Sequence, residues 1–155
     1  MGRVYSAGFN GVSCSAVQDL VSVLLASPHY GEINRIEVND VDTTLPTQQG
    51  LSLELVALAG ATLGSGGAAV GTIPQQDAGD AAANATAHTN DTTIATGSAS
   101  SILWNGGCNL YQGLDHTFNP PIPFGDGYAI SFKLAQAPSA ACKLSGTLTW
   151  TEKGK

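Results

Sequence analysis

Three histidines could carry chemistry in this chain, and each stands alone: His29 in the turn SPHYGE, His88 in NATAHTND and His116 in GLDHTFNP. A metal site needs several nitrogen, sulfur or carboxylate donors at short ligand spacings. Cys14, Cys108 and Cys142 fall at no such spacing, either with one another or with a histidine. Asp115 beside His116 suggests an acid–base pair, yet adjacent residues of a strand project to opposite faces. Residues 64–71, GSGGAAVG, have the glycine content of a phosphate loop. Such loops lead into a helix and one class ends in a lysine, whereas here Ile73-Pro74 follows and no lysine is present. Asp40 with Asp42, and Asp77 with Asp80, lack the complete ring of oxygen ligands that calcium requires, and read as turn residues. From these residues we expect no enzyme activity, no metal and no cofactor.

The elements that must position these residues are strands. LSLELVAL alternates, with Leu51, Leu53 and Leu55 on one face and Ser52, Glu54 and Val56 on a wet or interfacial one. NRIEVND sets Ile36 and Val38 against Arg35 and Glu37. YAISFKLAQ aligns Tyr128, Ile130, Phe132 and Leu134, and CKLSGTLTWTEK sets Leu144, Leu148 and Trp150 against Thr147, Thr149 and Thr151. AVQDLVSVLLAS fits either period: Val17, Leu20, Val21 and Leu24 make a helical face, while Val21, Val23 and Leu25 alternate as a strand. Its valines and the following turn favour the strand. DVDTTLPTQQG, GATLGSGG, NGG, NPPIPFGDG and APSA supply turn chemistry. Eight or nine short strands without helix–strand alternation predict one all-β domain over 1–155, an antiparallel β-sandwich of jelly-roll type with about eight strands. Residues 1–12 read either as an N-terminal arm anchored by Val4, Tyr5 and Phe9, or as an edge strand.

Charge narrows the partners. Only 12% of the residues are charged and the net charge is −6, against about 25% charged in an average soluble domain. Six scattered basic residues oppose nucleic-acid binding, which needs clustered Lys and Arg, and no stretch reaches the roughly 20 apolar residues of a membrane span. MGRVYSAGFNGVS lacks the charged start and apolar run of a secretory signal. We therefore expect free thiols in a reducing cytoplasm, and chance matches where Asn84-Ala85-Thr86 and Asn90-Asp91-Thr92 fit the glycosylation pattern. The neutral surface is supplied by Gly, Ala, Ser, Thr and Asn, which suits contact with a neighbour. Residues 77–97, DAGDAAANATAHTNDTTIATG, concentrate that composition. They read as extended backbone lying against another surface, with Ala82 and Ala85 allowing close approach and Asn84 and Asn90 hydrogen bonding.

The succession LELVALAGATLGSGGAAVGTIPQQDAGDAAANATAHTNDT, ILWNGGCNLYQGL and YAISFKLAQAPSAACKLSGTLTWTEK resembles small structural proteins of tailed bacteriophages. The likeness spans roughly residues 30–152 and is strongest at Gly79–Ala83 and Leu144–Leu148. It implies a head decoration (cement) protein on the outer capsid of the virion, made in the host bacterial cytoplasm. It also implies a homotrimer that clamps neighbouring major capsid protein subunits. The turn before the penultimate strand is often basic in that family, whereas NPPIPFGDG carries no Arg or Lys, so a contact there would be apolar or acidic. The alternative is a tail or spike module that binds host carbohydrate. That reading needs exposed aromatics, with Trp104 and Tyr111 the candidates, beside Asp or Asn at one loop end.

Overall fold

The computed structural model describes residues 2–44 and 47–154. Met1 of the N-terminal segment and Leu45-Pro46 of the turn DVDTTLPTQQG lie outside them. Ten strands follow in order: β1 Arg3–Cys14, β2 Asp19–Leu25, β3 Tyr30–Asp40, β4 Gly50–Ala59, β5 Ala68–Ala69, β6 Ala85–Asp91, β7 Ala99–Asn109, β8 Leu114–Phe124, β9 Tyr128–Leu134 and β10 Cys142–Lys153. They form two antiparallel sheets, β1-β10-β3-β8 and β5-β6-β2-β9-β4-β7. With the insert β5–β6 between β4 and β7 set aside, eight strands remain, ordered β1-β10-β3-β8 and β2-β9-β4-β7. That is jelly-roll topology, and the extra hairpin accounts for ten strands where about eight were expected.

The period-2 pattern places the core. From the smaller sheet Tyr5, Ala7, Ile33, Ile36, Leu144, Leu148 and Trp150 point inward. Val21, Val23, Leu53, Leu55, Ile130, Phe132 and Leu134 meet them from the larger one, and all are fully buried. The ambiguous segment is a central strand, β2, paired on one side with β6 and on the other with β9. An irregularity between Asp19 and Val21 puts Leu20 in the core as well, which is why this stretch also satisfies a helical spacing.

Two expectations about faces change. Tyr128 opens β9 at a turn and is exposed, unlike Ile130, Phe132 and Leu134. The outer face of β4 is not simply wet: Val56 and Leu58 are buried with Ala95 and Ala129 in a second apolar cluster, against which Leu24, Ala61 and Leu63 pack. The cover is a flap made of the two loops that flank the β5–β6 insert. Backbone hydrogen bonds join Thr62 to Thr96 and Ser65 to Thr93. Glycines permit the close approach, since a Cβ at Gly64 would collide with the Thr93 carbonyl and one at Gly67 with the Thr89 carbonyl.

Candidate interaction surface

The segment 77–97 begins as a strap, continues as β6 and ends in the flap. Pro74 and Gln76 bond to the backbone of Ser6 and Val4, so the strap covers the outer edge of the first half of β1. The Tyr5 hydroxyl then donates to the Ala81 carbonyl at 2.8 Å, and Gln75 Nε2 donates to the Asp80 carbonyl at 3.0 Å. Arg3 lies 3.6 Å from the Asp80 carboxylate. At the end of the strap Glu152, 4% exposed, receives four donors. Oε2 accepts from the Asn84 backbone N–H at 2.8 Å and from Asn84 Nδ2 at 3.2 Å; Oε1 accepts from the Ala85 N–H and from Trp150 Nε1, each at 3.2 Å. One carboxylate thus ties the last strand of the small sheet to the entry of β6 in the large one.

A second buried carboxylate pair anchors the flap. Asp19 and Asp91 face each other across β2 and β6. Asp19 Oδ2 accepts from the Ala95 N–H at 2.6 Å and its Oδ1 from the Ser131 hydroxyl. Asp91 Oδ1 accepts from the Gly67 N–H at 3.1 Å, and His88 Nδ1 stands 3.3 Å from its other oxygen. Burial raises the Asp19 carboxyl above the ordinary aspartate range; Asp91 adds to the rise, while the Ser131 and Ala95 hydrogen bonds and Lys133 oppose it.

The sites weighed in the sequence fall into separate places. His29 is half-buried in a turn and His88 belongs to the flap anchor. The His116 ring lies 5.4 Å from Trp104 and 4.7 Å from Phe118, centroid to centroid. Asp115 points the other way, bonded through both oxygens to Arg35 at 2.8 Å, and that guanidinium holds its carboxyl below the usual range. Among the described residues no group of three or more His, Cys, Asp or Glu side chains is placed to hold a metal. Asp40 accepts from the Asp42 N–H, Asp42 from the Lys143 N–H and Asp77 from the Gly79 N–H, so these aspartates serve turns. GSGGAAVG forms part of the flap and β5.

The interface candidates divide by burial. Tyr5 and Phe9 are core side chains of β1, and Ala85 is a core side chain of β6. All three are therefore withdrawn as contact residues, and from Arg3 onward the N-terminal segment is the edge strand β1 rather than a free arm. The physical reason is parity: Tyr5, Ala7 and Phe9 are the inward positions of a strand that pairs with β10. Val4 is half-buried and Ala82 exposed. Asn84 is exposed overall, although its amide is bonded to Glu152. Asn90 adopts φ 59° and accepts a 2.6 Å hydrogen bond from Gln18 Nε2. Trp104 is packed against His116 and Phe118, and closes the sandwich between β7 and β8. Tyr111 is 49% exposed in the turn after β7.

The cysteines remain thiols. Burial pushes Cys14 up to about 12 and Cys142 up to about 11, and raises Cys108 as well. Because the thiolate is the nucleophile, we expect an aromatic disulfide reagent at pH 8 to label Cys14 and Cys142 about 100-fold or more slowly in the folded protein than in denaturant. Equal rates in the two states would contradict the packing of β1 on β10.

Among the buried polar residues whose roles the sequence does not disclose are Asp19, Asp91, Glu152 and Gln49. The last holds the loop before β10, since Gln49 Nε2 donates to the Ala140 carbonyl at 2.7 Å and its Oε1 accepts from Ser139 Oγ and the Ala140 N–H. The signal for Glu152 was parity, because it continues the inward series Leu144, Leu148, Trp150. No family model matches this chain, and neither the curated proteins nor the solved structures compared with it give a match.

Proposed function

We propose that this protein is a non-enzymatic decoration protein of a tailed-bacteriophage head, binding the outer shell across junctions between major capsid protein subunits. The observation that carries this reading is an exposed surface without charge on a rigid jelly-roll frame. No Asp, Glu, Lys, Arg or His occurs between Asp91 and Asp115. Most of that stretch is exposed, as are Ala81, Ala82 and Asn84 of the strap. Ion pairs meanwhile occupy much of the remaining charge: Arg35 with Asp115 and Glu37, Lys133 with Glu54, and Lys153 with Glu32. Small neutral side chains lose little rotamer entropy on burial, so such a surface suits a permanent contact.

Binding to the assembled shell and not to free subunits stabilises the shell by mass action. Several linked copies convert weak single contacts into durable attachment; the family resemblance implies three. A fold alone assigns no function, since jelly rolls also serve as lectins and enzymes, so the test is binding. Co-sedimentation with heads assembled without the protein is expected to show saturable, stoichiometric attachment. Ala82→Trp is expected to weaken that attachment at least about tenfold while leaving the melting temperature within a degree or two, because Ala82 lies on the exposed strap. Failure of the wild-type protein to attach would reject the proposal.

A further inference from the structure

Sheet edges are sites at which another strand can add, and proteins blunt the ones they do not use. β1 is shielded along its first half by Pro74–Gln76 and broken by an irregularity between Phe9 and Val12. β8 carries Pro120, Pro121 and Pro123, which have no N–H to donate. β5 is two residues long. β7 has none of these devices over Ala99–Ile102: there is no proline, no charge and no covering segment among the described residues, and β4 is the strand it pairs with. Ala99, Ser100, Ser101 and Ile102 are all exposed. Ile102, at 58%, is the most exposed of the large apolar side chains described.

We propose that this edge pairs with itself: a second copy of the chain adds its β7 antiparallel to the first, about a two-fold axis perpendicular to the sheet. Such an axis keeps outer face with outer face, and residues opposed across an antiparallel pair share a face. The axis therefore passes through a residue and not between two. Ser100 and Ile102 belong to the outer face, opposite Leu58 and Val56. Centring on Ser101 sets Ser100 of each copy against Ile102 of the other, a small side chain beneath a large one, twice. Ile102 also borders a groove of about 340 Å³ that Ile94, Thr96 and Gly97 of the flap help to line. The register shift at Leu103 ends the run and limits its length.

Charge does not oppose a second copy at this edge. Two chains of net charge −6 repel one another over most approaches, and like charges directly opposed in a sheet destabilise it. The stretch between Asp91 and Asp115 lets two copies meet without that cost. A ring of three uses two different surfaces head to tail, whereas an isologous contact uses one surface twice. The β7 contact is thus separate from the trimer the family resemblance implies, and it does not rest on the capsid reading.

Sedimentation equilibrium of the purified protein from micromolar to millimolar concentration tests it. A reversible monomer–dimer equilibrium is expected, with Ile102→Lys and, separately, Ser100→Lys each weakening dimerisation at least tenfold at unchanged melting temperature. Ser101→Cys is expected to give a covalent dimer under a mild oxidant, because the two thiols face each other across the axis. A monomer at every concentration would overturn the proposal. So would association, whether dimeric, trimeric or with other proteins only, that both lysine variants leave unchanged.

Discussion

Glu152→Ala is expected to lower the melting temperature by roughly 6–12 °C, the largest effect we expect from a single polar side chain in this protein. Its carboxylate accepts from the Asn84 and Ala85 amides, the Asn84 side chain and the Trp150 indole. Hydrogen bonds to a charged group contribute about 1.5–3 kcal/mol each, and a buried donor left without a partner costs about 1–3 kcal/mol. Even with water reaching the exposed Asn84 side, the net loss is about 3 kcal/mol, and in a chain of this size about 1 kcal/mol moves the midpoint by 2–4 °C. Glu152→Gln is the informative control. It keeps the volume and one acceptor oxygen, but places an NH₂ group among donors, so it should fall between wild type and Glu152→Ala. Thermal unfolding followed by near-ultraviolet circular dichroism reads the packing of the aromatic side chains, Trp150 among them. A shift below 2 °C for the alanine variant would mean that the clamp between the two sheets is not formed in solution.

Asp19→Asn is expected to destabilise the protein by about 2 kcal/mol at acid pH, and by less as the pH rises. In the protonated form the carbonyl oxygen accepts from the Ala95 N–H and the O–H keeps the contact with Ser131 Oγ, whereas an asparagine puts the larger NH₂, a weaker donor, against that hydroxyl. The pH dependence follows from linkage. Burial, reinforced by Asp91, raises the folded-state pKa of Asp19 above its unfolded value. The native state therefore holds this proton more tightly than the unfolded chain. A group of this kind contributes stability that is fully present below the unfolded pKa and is lost as pH rises through the folded one. The gap in melting temperature between wild type and Asp19→Asn should accordingly be widest near the ordinary aspartate pKa and below, and narrow toward neutral pH. Taking the difference cancels the carboxyls that are not coupled to Asp19, including Asp115, whose shift has the opposite sign. A gap that widens toward neutral pH would show that the ionised form is the one the fold favours. Faster hydrogen exchange at Ala95 and Thr96 than in wild type would locate the damage in the flap.

Strand existence and facing were legible in the sequence because period-2 alternation survives wherever one face is buried. Leu53 and Leu55, Ile36 and Val38, and Leu148 and Trp150 all point where the alternation places them. The β2 segment resisted because burial on both faces erases alternation, and its irregularity at Leu20 added a residue that mimics helical spacing. The flap was not legible at all. Its two loops pair through single bridges, Thr62 with Thr96 and Ser65 with Thr93, and nothing local in GATLGSGG or TTIATG says that two loops far apart in sequence meet above Val56 and Leu58. The candidate surface was half legible. Ala82 sits exposed as its neighbourhood suggested, but small residues serve tight packing inside a sheet as readily as contact outside it, and Ala85 took the inner role. Of the two readings of the N-terminal segment, arm or edge strand, the alternation of Tyr5, Ala7 and Phe9 fits the second, with all three side chains facing inward. The buried carboxylates teach the converse: Glu152 occupies an inward position in an apolar series, and a charge at such a position needs several hydrogen bonds to be tolerated.

Stabilisation of the shell is measured most directly as the rupture temperature of phage heads assembled without this protein, followed by DNA release or scattering with and without saturating purified protein. Decoration across capsid junctions predicts a rise in that temperature that saturates with bound copies and is reduced in proportion to occupancy by Ala82→Trp. An unchanged rupture temperature at full occupancy, or no occupancy at all, would rule out a decoration role.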